Sequence, residues 1–218
     1  MDQIWLSDEA HFCLQGEPNL QNNRVWSQSQ PRAVHQRVSH PEKCTAWCAI
    51  SSEGIIGPFW FEDSAGRALT VNADRYSSVL KKFHAALRKR LQGKTDGIWF
   101  QQDGAPPHRA GENLTWLRER FGTRLISFGA PTAWPSSSPD LTPLGYFLWG
   151  HIKSRVYQSA PRTIPDLKSE VRRQIRQVKA STCRSVLNNL KKRASLCSWS
   201  GTADTSNTCC SASRGVVM

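Results

Sequence analysis

The spacing of apolar residues changes once along this chain, and that change limits the fold more than any other feature. Up to about residue 61 the spacing is that of strands. "QIWLSDEAHFCLQG" alternates around Ile4, Leu6, Phe12 and Leu14, which predicts two short strand pieces or one bent strand. "EPNLQNNRVW" is a turn-rich connection. "KCTAWCAISSEGIIGPFWFED" reads as a hairpin, with strands at 44–50 and 55–61 around a Ser-Ser-Glu-Gly turn. From "NADRYSSVLKKFHAALRKRL" onward a helical stripe takes over, through Tyr76, Val79, Leu80, Phe83, Leu87 and Leu91. "DGIWFQQD" is a short buried strand over 98–101 that leads into Asp103. Pro106-Pro107 suits the opening turn of a helix with Ala110, Leu114, Leu117 and Phe121 inward. "RLISF" is a further strand, and the loop "GAPTAWPSSSPDLTP" leads to a helix at about 144–156.

Three strands, then helix, strand, helix, strand and helix, predict a layered α/β domain. The order matches a ribonuclease-H-like mixed sheet flanked by helices, expected over residues 1–158, although element order alone fits other α/β folds. "TIPDLKSEVRRQI" predicts a helix capped by Thr163, and a second basic helix follows at about 182–194. Together these give a basic C-terminal helical extension, 159–196. The remainder, 197–218, is rich in Ser and Thr without periodicity and is expected to be disordered.

The net charge of +12 is concentrated toward one end. Residues 1–144 carry 16 Lys and Arg against 14 Asp and Glu, whereas residues 145–218 carry 13 against 3. A near-neutral body with a basic end suggests a polyanionic partner, most simply nucleic acid. The phosphate-contacting candidates are Lys153, Arg155, Arg172, Arg173, Arg176, Lys191, Lys192 and Arg193. Seven cysteines at irregular spacing argue against a disulfide framework. Cys44 and Cys48 are four residues apart on a predicted strand, about 13 Å and too far to share a metal, so they are read as core thiols. No apolar run approaches the roughly 20 residues of a membrane span, and a soluble intracellular protein with no membrane partner is expected.

Asp8 follows the first strand segment and Asp103 terminates the fourth. In a ribonuclease-H-like sheet these strands are neighbours, so both carboxylates meet at one rim. Such a pair seats Mg2+, which takes oxygen ligands and leaves room for substrate phosphate. Two ions so held activate an attacking hydroxyl and stabilise the leaving oxygen of a phosphodiester.

Three blocks, "LSDEAHF", "WFQQDGAPPH" and "WPSSSPDLTPLGYFLWGHIKSRVY", resemble in order the catalytic blocks of the mariner-like transposases of the DDE superfamily. "GPFWFED", "VNADRY" and "PRTIPDLK" agree between and beyond them. The resemblance implies a metal-dependent DNA endonuclease and strand transferase using Mg2+ or Mn2+, with Asp8 and Asp103 as metal ligands. It also implies a nuclear protein whose partners are DNA and a second copy or a related transposase. The family's third acidic ligand falls at Gly145, which has no side chain to ligate with. A catalytic domain that binds DNA but is impaired in cutting it is therefore expected. In the alternative, Asp140 serves as the third catalytic acid, although its competing role is to cap the following helix. A further alternative is a protein-interaction remnant acting through the basic helices. His108 is a minor candidate, read mainly as holding the turn. Trp134, Phe147 and Trp149 are read as packing residues, with Phe147 and Trp149 on different helix faces. The family's N-terminal DNA-recognition domain is expected to be missing.

Overall fold

The computed structural model describes residues 3–15, 41–135, 138 and 141–199. Its five strands are β1 (Ile4–Cys13), β2 (Lys43–Ser51), β3 (Gly54–Trp60), β4 (Trp99–Gln101) and β5 (Leu125–Ile126). They form one sheet in the order β3-β2-β1-β4-β5. The first three are antiparallel neighbours, and β4 and β5 run parallel to β1.

Strand alternation divides the core into two layers. Leu6, Ala10 and Phe12 of β1 share one cluster with Cys44, Ala46, Cys48 and Ile50 of β2. This face is covered by α3 (Trp149–Val156), α4 (Ile164–Gln177) and α5 (Ala180–Trp199). Trp5, Trp47, Ala49 and Phe100 face the other way, under α1 (Ala73–Arg90) and α2 (Gly111–Phe121). The stripe expected on α1 is buried at Tyr76, Val79, Leu80, Phe83 and Leu87, and Asn72 caps the helix by accepting from Arg75 N at 3.0 Å. Burial pushes both strand thiols up, Cys44 to about 12, so they are neutral core groups. Gly57 has φ +120°, and a Cβ there would meet Trp47 O at 2.8 Å beside the register shift between β2 and β3. That shift needs glycine.

The basic helices belong to the same core. Leu167, Val171 and Ile175 of α4 and Cys183, Leu187 and Leu190 of α5 pack in the cluster with Leu6 and Phe12. Thr163 caps α4, its Oγ1 accepting from Asp166 N at 3.2 Å. Lys168, only 8% exposed, donates to the Glu62 carboxylate and to Gly66 O, which ties α4 to the chain after β3.

One element settles an alternative that the sequence left open, and two differ from the expectation. β1 is a single strand running through Asp8, because Asp8 continues the ladder opposite Cys48 of β2. Pro106-Pro107 forms its own 3-10 turn, Pro106–Arg109, and Ala110 is extended (ψ 132°), so α2 starts only at Gly111. The buried Gln102 holds this turn apart from α2 by donating to His108 O at 3.0 Å. α5 continues through 197–199, and the rest of the expected disordered tail lies outside the described residues. Among the described residues no helix is long and apolar enough to cross a membrane.

Candidate active site

The rim is created by the shortness of β4. Its pairing with β1 covers only Ile4 to Leu6, so Asp8 emerges just past the last shared rung. Asp103 lies two residues beyond the end of β4. The two carboxylates therefore line one cleft, of about 370 Å³, together with Arg109, Phe128, Trp134 and Gly145. The expected meeting of Asp8 and Asp103 is observed, at the middle of one strand and the end of the other.

Each carboxylate is held differently. Asp8 Oδ1 accepts from Glu9 N at 2.8 Å, and Oδ2 accepts from the Trp149 indole at 3.0 Å. Burial, then the Glu9 charge, raises the Asp8 carboxyl to about 7, against the lowering effect of these hydrogen bonds. Asp103 Oδ1 accepts from Ala105 N at 3.0 Å and from His108 Nδ1 at 2.5 Å. Burial pushes Asp103 up, but His108 outweighs it and holds the carboxyl below its usual value.

His108 is the centre of a second layer. Its Nε2 donates to Glu9 Oε1 at 3.1 Å, so one imidazolium spans both acids, and its ring packs on Tyr76 with centroids 4.1 Å apart. Burial alone would lower its pKa, but the bonds to Asp103 and Glu9 raise it to about 10. Gln102 joins this layer to the fold, accepting from Tyr76 OH and donating to Ser127 Oγ. His108 was legible as a minor site candidate read mainly as holding the turn, and Glu9 was not singled out. Strand alternation sends Glu9 to the face opposite Asp8, where it meets a histidine 99 residues away.

Because the folded pKa of His108 exceeds its ordinary value of about 6.5, its contribution to stability is fully present below that value and fades as pH rises toward about 10. His108→Ala leaves Glu9 and Asp103 facing each other without a cation. A loss of roughly 2–3 kcal/mol is expected at pH 6, shrinking toward pH 10, as read by thermal unfolding across pH.

The final block forms a π-helical turn, Leu144–Leu148, before α3. Gly145 is exposed on the cleft within this turn. Trp149, four residues later, is buried against Phe12 while its indole reaches Asp8, so it both packs and positions. Phe147 faces elsewhere and stacks on His151. The turn is braced from α5, since Tyr146 OH donates to Val186 O at 2.9 Å and Arg193 lies over its ring at 4.3 Å.

The oxygen donors suit a hard divalent cation. Asp8 and Asp103 each keep lone pairs on the cleft, and a cation there relieves the mutual repulsion of Asp8, Glu9 and Asp103. Asp8 and Asp103 are the residues that would hold such an ion, which when bound polarises phosphate oxygens and activates water. Among the described residues no group of three or more His, Cys, Asp or Glu forms a metal cage, and Asp140 lies outside those residues.

The predicted phosphate contacts lie away from the cleft lining. Lys153 and Arg155 are on α3, Arg172, Arg173 and Arg176 on α4, and Lys191, Lys192 and Arg193 on α5. Arg173 is paired with Glu170 at 2.6 Å, and Arg172 lies over Trp60 at 5.4 Å. The cleft's own cation is Arg109, which the charge distribution did not single out.

A mixed sheet flanked by helices, with acids meeting where a short parallel strand ends, defines a ribonuclease-H-like domain. No family model matches the chain. It is 27% identical over 160 residues to the Tcb1 transposable-element transposase of Caenorhabditis briggsae, covering 71% of this chain and 52% of that protein. It is 30% identical over 159 residues to the Tc1 transposase of Caenorhabditis elegans, covering 70% and 51%. The fold superposes on the catalytic domain of the Mos1 mariner transposase with TM-score 0.67 at 18% identity, covering 94% of this chain and 85% of that one. It superposes on the Mos1 paired-end complex with the left transposon end with TM-score 0.70 at 18% identity, covering 91% and 55%. Mos1 catalytic-domain structures include one with Mg and one with Mn. The chain is a homologue of the Tcb1 and Tc1 transposable-element transposases, it shares the fold of the Mos1 mariner catalytic domain, and it spans about half the length of the curated relatives it matches.

Proposed function

We propose that this protein is a transposase-derived catalytic domain that binds DNA but is impaired in cutting and joining it, because Gly145 stands where a third acidic metal ligand belongs. The observation that carries this reading is the position of Gly145, exposed on the same cleft as Asp8 and Asp103. Two oxygen ligands on the cleft support one ion, whereas two-ion phosphoryl transfer asks for more. DNA is the partner, reached through the basic residues of α3, α4 and α5, with the nucleus as the site of action. A second copy or a related transposase is the protein partner.

Nicking of supercoiled plasmid in Mg2+ or Mn2+ tests the impairment. Cutting by the unmodified chain that disappears in Asp8→Asn overturns it and points to Asp140 as the completing acid. DNA affinity is expected to fall by about a hundredfold or more between roughly 50 and 200 mM salt, as phosphate contacts release counterions. Fluorescence anisotropy of a labelled duplex measures this, and a salt-independent affinity overturns the electrostatic part of the reading.

A further inference from the structure

Among the described residues, Phe128 is the most exposed large apolar side chain, at 51%, and it sits on the carboxylate cleft. Exposure of an aromatic ring here is not a matter of a loose loop. Ser127 N donates to Thr132 O at 3.1 Å, Ala130 N and Trp134 N both donate to Ser127 O, and the Ser127 hydroxyl is held by the buried Gln102. Arg118 donates to Gly129 O at 2.8 Å from the outer side. The loop after β5 is thus fastened to the site's own hydrogen-bond layer, and it presents the ring to solvent.

The neighbours of the ring are specific. The Arg109 guanidinium lies over it, 5.1 Å from the centroid. The base of the side chain adjoins Gly104, where an added Cβ would lie 3.8 Å from Phe128 Cβ, so Phe128 stands next to the residue that follows Asp103. Half-buried Trp134 lines the same cleft. An aromatic ring with a guanidinium beside it is the pattern that single-stranded nucleic acid takes, the ring for a base and the cation for its phosphate. A protein partner would have to bring its apolar surface onto a cleft that also holds two carboxylates.

We infer that Phe128, Arg109 and Trp134 form a platform for an unpaired DNA base beside the carboxylate pair, which makes the cleft selective for single-stranded or locally opened DNA over fully paired duplex. This deepens the proposed DNA-binding function and rests on it. In the bound strand the base stacks on Phe128, Arg109 meets the phosphate of the same nucleotide, and the backbone continues past Asp103 toward Asp8.

The test measures affinity of the full chain for one labelled oligonucleotide, single-stranded and annealed to its complement, at low salt in magnesium buffer. The unmodified protein is expected to bind the single strand more tightly. Phe128→Ala is expected to lower that affinity on the order of tenfold, from the loss of one base–aromatic stack, and to leave duplex binding unchanged. Phe128→Trp is expected to retain the preference, and unchanged thermal unfolding shows that each variant is folded. Binding of both DNAs that Phe128→Ala leaves unaltered, or weakens equally, overturns this inference alone. Failure of the unmodified chain to bind either DNA overturns the DNA-binding function and this platform with it.

Discussion

Gly145→Asp is expected to raise metal-dependent nicking of supercoiled plasmid by about a thousandfold or more over the unmodified chain, since a central catalytic group commonly carries several powers of ten at 1.36 kcal/mol each. The new carboxylate would stand on a cleft that already holds Asp8 and Asp103. Its effect on folding should be small, because relief of the glycine's helical cost is set against the repulsion of a further carboxylate beside Asp8 and Asp103. Glycine near a helix start costs up to about 1 kcal/mol relative to alanine, and an acid in a first turn meets the positive end of the helix. Gly145→Asn supplies the control of similar size without the charge and should stay silent. Adding Asp8→Asn to Gly145→Asp should abolish the regained cutting. If Gly145→Asp remains silent while it binds DNA and metal normally, the lesion lies elsewhere in the chain.

Asp8→Asn is expected to make the metal-free protein more stable, by up to about 4 kcal/mol at pH 8, on the scale of 1.36 kcal/mol per pKa unit. The folded Asp8 carboxyl is raised to about 7 from an ordinary 3.8, chiefly by burial and then by Glu9. The folded state therefore holds the proton more tightly than the unfolded one. That advantage is complete below the ordinary value and is lost as pH rises toward about 7, above which the buried anion carries its full cost. Asparagine never ionises, but its one acceptor oxygen replaces only one of the two that receive Glu9 N and the Trp149 indole, and leaving the other donor unmatched takes about 1–3 kcal/mol off that gain. The gap between the two proteins should open between about pH 4 and 7 and stay constant above. Mg2+ should then raise the unfolding temperature of the unmodified chain and not that of Asp8→Asn. If Asp8→Asn is the less stable at every pH, the carboxylate is a net stabilising acceptor and burial is not its main influence.

Asp103 and Gly145 were readable as positions because each sits at a local event that a sequence displays. Asp103 follows a short apolar run, and Gly145 interrupts a long motif. The exact placing of Asp8 was not readable, since the rim depends on how early β4 stops, a property of a strand ninety-odd residues away. The Asp103–His108–Glu9 bridge escaped for a related reason. Its outer partners come from distant parts of the chain, and although strand alternation turns Glu9 away from Asp8, nothing local marks the histidine that it meets. Trp149 offered a clue in its spacing, because it stands four residues after Gly145. Its apolar bulk favoured a packing role, and it serves both. The extent of α1 and the cap on α4 followed from local spacing and were recovered closely, whereas the start of α2 was decided by Gln102 gripping the preceding turn.

The sharing of one core by β1 and α5 has a consequence for how the chain acquires its shape. Leu6 and Phe12 are synthesised about 170 residues before the side chains that close over them, Cys183, Leu187 and Leu190. While the protein is being made, that side of the sheet stays open until nearly all of the described chain has left the ribosome. The face under α1 and α2 can fill much sooner. Pairings across such sequence distances are slow to form, and apolar strand surface is exposed meanwhile. The basic residues on α4 and α5 thus arrive on the helices that shut the structure, so the positive charge is set in place in the same step that completes the domain.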